Sequence, residues 1–233
     1  MITFENLTLK YADKLAIDSL SLTIEAGEKV AIIGTSGAGK STLLTHLYQL
    51  LKDNAAYCSQ KQGLVDSLST YHNVYMGALA KHHWVYNLAN LIAPFKKPLS
   101  EVNDLCRELE LDFHVSKKLS TLSGGQRQRV ALARALYQEQ SIFIGDEPFS
   151  ALDPVMAKRL LDLVFVRHET VIMVLHDKSA ALAHFDRVIG LSQGQLKLDI
   201  PHDEITANHI DELYSGSVTG SVSEIVPETL NHV

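Results

Sequence analysis

The 233-residue sequence predicts an α/β fold in which a parallel sheet is covered by helices and interrupted by a helical segment. Three observations carry the expectation. The near-continuous apolar run KVAIIG (residues 29–34) passes through a glycine loop, GTSGAGKS (34–41), into apolar residues at helical spacing: Leu43, Leu44, Leu47, Leu50 and Leu51. From Ser123 onward, helix-like and strand-like stretches alternate. Between these halves, residues 71–119 are mostly of helical pattern.

Taken in order, residues 2–10 and 20–33 read as strands. The opening MITFENLTLKYADK alternates apolar and polar residues and lacks the basic and apolar regions of a signal peptide, so a cytoplasmic protein is expected. A helix follows the glycine loop, then a short strand ending in AYCSQ (56–60). Pro94 and Pro98 break the helical region in two around APFKKP, and Trp84 with its aromatic neighbours is expected to pack in the helical core. A helix at about 126–138 leads to the strand SIFIGD, a helix at about 154–167, the strand TVIMVLH, a helix at about 178–184 and the strand RVIGL. Residues 216–233 are small and polar with little periodicity and read as a loose tail.

With 46% apolar residues the chain can fill one sizeable core. Acidic residues outnumber basic ones 27 to 21, and the net charge of -6 offers no broad cationic surface, so nucleic acid is not expected as a partner. Runs such as residues 160–166 and 171–175 fall far short of the roughly 20 apolar residues of a membrane-spanning helix. Work at a membrane would need another chain to span it. Cys58 and Cys106 form no CxxC spacing and read as inert thiols, while Lys96–Lys97 and Lys117–Lys118 read as solvated surface.

The loop GTSGAGKS fits G-x-x-x-x-G-K-[ST]. Glycines let backbone amides turn toward phosphates, the following helix offers its N-terminal N–H groups, Lys40 reaches the β- and γ-phosphates and Ser41 a magnesium ion. In SIFIGDEP, Asp146 and Glu147 stand at a strand's carboxyl end. Asp146 suits magnesium and Glu147 suits polarising a water for attack on the γ-phosphate, although acids at a strand end are also common as solvated turns. A second glycine stretch, LSGGQ, puts Ser123, Gly124 and Gly125 at a helix start. It reads either as half an anion site, lacking a lysine, or as an N-cap serine with a flexible approach.

GTSGAGKS, LSGGQRQRVALARAL, IFIGDEPFSALD and VLHD, in this order, resemble the nucleotide-binding subunits of ABC transporters over about residues 1–215. The resemblance implies a RecA-like P-loop NTPase core with a parallel sheet, a small antiparallel β edge and a helical subdomain at about 64–123. It implies ATP and Mg2+ bound by Gly34, Thr35, Ser36, Gly37, Ala38, Gly39, Lys40, Ser41 and Thr42, with Tyr11 stacked on adenine. Catalysis falls to Glu147, to the switch histidine His176 and to Gln60, which with Ser41 and Asp146 also serves the metal. In this family two subunits close head to tail, so Ser123, Gly124, Gly125 and Gln126 of one chain meet the γ-phosphate held by the other. Asp153 falls in the loop that meets the partner. Without the resemblance, Tyr11 reads equally as a packed edge-strand tyrosine and His176 as a solvated strand-end histidine.

Similarity in NVYMGALAKHHWVYNLANL, DRVIGLSQGQLKLD and EITANHIDELY points to the ATPase subunits of phosphonate importers. The partners so implied are a second nucleotide-binding subunit, an integral membrane permease that holds the chain at the inner face of the membrane, and indirectly a binding protein. The helical subdomain is expected to dock on the permease by its exposed face near Lys81. The alternatives are an exporter with a separate permease and a soluble non-transport ATPase of the same family. The chain departs from the family in its short connection from Lys40 to Gln60, which omits a strand pair and trims the antiparallel edge.

Overall fold

The computed structural model describes residues 1–11, 13–59 and 63–215. Strands β1 (Ile2–Tyr11) and β2 (Lys14–Ile24) form a two-stranded antiparallel sheet. The expected strand over 20–33 is two strands. A turn at Glu25–Glu28 divides them, with Gly27 at φ +89° and the Glu28 carboxylate accepting from the Glu25 N–H at 2.7 Å. β3 (Lys29–Gly34) then enters the main sheet, buried along almost its whole length.

Helix α1 (Lys40–Leu51) leads within three residues to β4 (Ala55–Cys58), so no further strand pair follows the glycine loop and the antiparallel edge is only β1 and β2. The helical segment holds α2 (Thr70–Tyr75), α3 (Trp84–Ile92) and α4 (Lys96–Glu108). The break falls at 93–95 and not at Pro98. Pro98 is the third residue of α4, where a missing N–H costs no helical bond. α5 (Gly124–Leu136) starts two residues ahead of expectation and carries the chain back to β5 (Ile142–Asp146), α6 (Pro154–Arg167), β6 (Thr170–Val174), α7 (Lys178–His184) and β7 (Arg187–Ser192). Strand β8 (Gln195–Pro201) and helix α8 (Ala207–Ser215), which no local pattern announced, close the described chain.

The six-stranded sheet has the order β4-β5-β6-β3-β7-β8, parallel except for β8. That order brings the carboxyl ends of β3, β5 and β6 side by side. One apolar cluster joins α1 and the inner face of β2 to one side of the sheet; another runs from α2 and α4 through Val130, Leu132 and Leu136 of α5 to Phe143 and Val171 on the other. Cys58 and Cys106 are buried, and burial pushes both thiols up to about 12, so neither is a thiolate at neutral pH.

One expectation about the helical segment is corrected. Trp84 is not core packing: it is 67% exposed, and Val85, Leu88 and Ile92 of the same helix are exposed too. α3 is nine residues long, and it is Asn87 and Asn90 that turn inward, to the Tyr75 and Tyr71 hydroxyls. Lys81 is exposed, as expected, and it pairs with Glu139 at 2.6 Å and donates to the Tyr137 carbonyl. Residues 216–233 and Gln60 lie outside the described residues.

Candidate functional site

The loop after β3 is shaped by what its glycines avoid. A Cβ on Gly34 would stand 2.1 Å from the Leu191 carbonyl oxygen, and one on Gly39 would stand 2.2 Å from that of Ala16. Gly39, at φ +94°, is the N-cap of α1 and brings no side chain to the helix start, leaving the first amides of α1 for an anion. Lys40 is buried, with Nζ donating to the carbonyls of Gly34 (2.7 Å) and Thr35 (2.9 Å). Burial lowers its pKa, against the opposing pull of the Glu147 and Asp146 carboxylates.

One cleft of about 410 Å³ gathers Tyr11, Ser36, Gly37, Ala38, Gly39, Lys40, Ser41, Thr42, Glu147 and His176. It adjoins a second of about 640 Å³ that shares Tyr11, Ser41 and Thr42 and is lined also by Asp146, Tyr57 and His46. Tyr11 is 70% exposed at the end of β1, so its ring is free to stack on a planar group. Asp146 ends β5 with Oδ1 buried and unpartnered. Glu147 follows at φ +52°, a left-handed conformation that costs a non-glycine residue about 1–3 kcal/mol.

Contacts on backbone and side chain hold Glu147, among them the Ser150 N–H donating to its carbonyl at 3.3 Å. The Glu147 N–H donates to the Val174 carbonyl (3.1 Å), Nε2 of Gln128 donates to its carbonyl (3.1 Å), and its carboxylate meets Nε2 of His176 at 2.6 Å. Gln128 is buried on α5; it also donates to Ser150 Oγ and accepts from the Ala151 N–H at 2.8 Å. Sequence reasoning missed it. Its only signal was a polar residue on an otherwise apolar helix face.

Ser123, Gly124, Gly125 and Gln126 line neither cleft. They form a capping box at the start of α5: Ser123 Oγ accepts from the Gln126 N–H, and the Gln126 side chain accepts from the Ser123 N–H at 3.0 Å. A Cβ on Gly124 would meet nothing within 4 Å, whereas one on Gly125 would stand 3.3 Å from the Ala151 carbonyl. Asp153 likewise lies outside both clefts and caps α6 through the N–H groups of Val155 and Met156. Thr35, between Gly34 and Ser36, offers its carbonyl to Lys40.

A phosphate loop between a buried parallel strand and a helix, facing two acids at the end of a second strand, defines a P-loop nucleotide-hydrolysing fold. Within that class the chain belongs to the ABC transporter family, whose model matches residues 17–150, as an ATP-hydrolysing subunit. It is 34% identical, over 92% of this chain and 91% of the relative, to a phosphonates import ATP-binding protein of Pseudomonas savastanoi pv. phaseolicola. A protein of the same description from Frankia casuarinae is 35% identical, over 85% and 89%. A solved dimeric ATP-binding cassette in a post-hydrolysis state, bound to ADP and Pi, superposes with a TM-score of 0.73 at 26% identity, covering 87% of this chain and 99% of that one. Among the described residues no helix is long and apolar enough to cross a membrane.

Proposed function

We propose that this chain powers import of a phosphonate or a related phosphorus oxyanion through a separate membrane permease, as one of two ATPase subunits closed head to tail. The substrate and the direction rest on the relatives named for phosphonate import. Hydrolysis rests on one observation: Glu147 and His176 stand on the wall of the cleft that holds Lys40.

In this reading the residues 34–42 wrap the phosphates, Lys40 exchanges its loop carbonyls for β- and γ-oxygens, and Tyr11 stacks on the base. A magnesium ion fits, since the orphaned Oδ1 of Asp146 and the Ser41 hydroxyl are hard oxygen donors on one cleft. When bound, magnesium neutralises charge on the phosphates. Glu147 takes a proton from the water that attacks the γ-phosphorus; the bond from that phosphorus to the β–γ bridging oxygen breaks, and ADP leaves. His176, hydrogen-bonded to Glu147, orients the carboxylate and faces the γ-phosphate. Gln60 is assigned its role beside the metal by resemblance alone.

The start of α5, with Gly124 open to solvent and outside the cleft of its own chain, supports the head-to-tail pairing, since a helix start can take an anion that another chain presents. The segment 64–123 acts as the helical subdomain, and the exposed apolar face of α3 supports its docking on the permease.

The test is uptake of a radiolabelled alkylphosphonate by the source organism lacking this chain. Loss of uptake, restored by the wild type and not by Lys40→Ala, is expected. Undiminished uptake in the deletion strain overturns the substrate assignment.

A further inference from the structure

Helix α8 reaches back to the phosphate loop. Leu213 and Ile210 are buried against β7 and β8, and a Cβ on Gly190 would stand 2.8 Å from Leu213, so the helix sits close on the sheet. This close seat delivers the next residue, Tyr214, to two functional segments at once. Its hydroxyl accepts the N–H of Gly34 at 3.2 Å. Its ring lies 3.8 Å beneath Nζ of Lys178, the first residue of α7 and two past His176.

Pairing of β3 with β6 stops at Ile32 and Val174, two residues short of Gly34. The Gly34 N–H therefore lies beyond that ladder, and a hydroxyl from the far end of the chain takes it. The carbonyl of the same residue accepts from Lys40. Gly34 is thus gripped by Tyr214 at one backbone group and by Lys40 at the other.

We propose that Tyr214 is a positioning residue for ATP hydrolysis: it fixes the base of the phosphate loop and, through Lys178, sets the His176 loop in register with it. The inference rests on reading residues 34–41 as the nucleotide site. Tyr214 does not touch substrate; it acts through Gly34 and through α7.

Two variants separate its two contacts. Tyr214→Phe removes the hydroxyl and keeps the ring over Lys178, so KM for ATP rises about three- to tenfold with kcat little changed. Lys178→Met keeps the stem and removes the charge, so kcat falls about two- to fivefold with KM little changed. Hydrogen exchange followed by mass spectrometry gives a readout that a general loss of stability does not mimic. In Tyr214→Phe, exchange speeds up in peptides covering residues 33–36 while those covering β6 stay at the wild-type rate. Wild-type KM in Tyr214→Phe overturns the inference, as does faster exchange spread over the whole sheet. Lys40→Ala in the same assays separates the two readings. If it loses ATP binding while Tyr214→Phe is unchanged, only this inference falls; if it binds ATP normally, the nucleotide site itself was misplaced.

Discussion

Glu147 shows what the site costs its own backbone. The residue sits in a left-handed conformation braced by Val174, Gln128 and Ser150 on its backbone and by His176 on its carboxylate. A side chain so held needs no search before it accepts a proton. Glu147→Gln keeps shape and hydrogen-bonding reach while removing the basic oxygen. ATP affinity should stay within about threefold, and single-turnover hydrolysis should slow at least about 100-fold, the usual share of a general base. Hydrolysis at the wild-type rate would remove Glu147 from the chemistry. At this scale the sequence was legible wherever the chemistry is local: Lys40, Ser41, Asp146 and Glu147 each lie in a short motif whose strand and helix context could be read beside it. Gln128 and Tyr214 were not, because one acts on a loop some twenty positions away and the other on a glycine 180 positions earlier. No spacing rule encodes a partner that only the fold supplies.

At the scale of elements, α3 and α5 do different jobs. α5 grips the segment that follows Gln60, with Arg134 donating to the Gly63 carbonyl at 2.8 Å and Arg127 paired with Asp66 at 2.5 Å. α3 turns Trp84, Val85, Leu88 and Ile92 outward. Trp84 and Leu88 are four apart and share a face, so glutamate at both converts an apolar patch to a charged one without touching the core. The double variant should hydrolyse ATP at the wild-type basal rate and lose at least about tenfold in uptake by vesicles carrying the permease, since two buried apolar anchors are each worth about 1–2 kcal/mol. Equal loss of both activities would argue against docking through α3. The elements around the sheet could be read from periodicity. What could not be read was which face of α3 lies inward, because periodicity marks an apolar side and two asparagines reverse it. β8 and α8 escaped for another reason: each is short and half-exposed, and each owes its stability to β7, against which it packs.

Among the described residues, the cleft around Lys40 and the start of α5 lie apart, and in the proposed dimer a second copy brings the two together. Mixing Lys40→Ala chains with Gly124→Asp chains puts both lesions in one composite site and leaves the other intact. Gly124 is the better target than Gly125, where a Cβ would press on the Ala151 carbonyl within its own chain. Verified mixed dimers should trap about one ATP, while either variant alone traps none; no recovery in the mixture would refute the shared site. Gln128 then acquires a further consequence. The helix whose start would meet the neighbour's γ-phosphate in the proposed dimer also holds the backbone of this chain's own Glu147 and Ala151. In that dimer a ligand bound across the interface would act on one end of α5 and Gln128 on Glu147, so filling one cleft is expected to change the free energy of filling the other. Reciprocity of this kind would make ATP binding sigmoidal in nucleotide concentration, with the Gln128 side-chain amide as the joint between the two clefts.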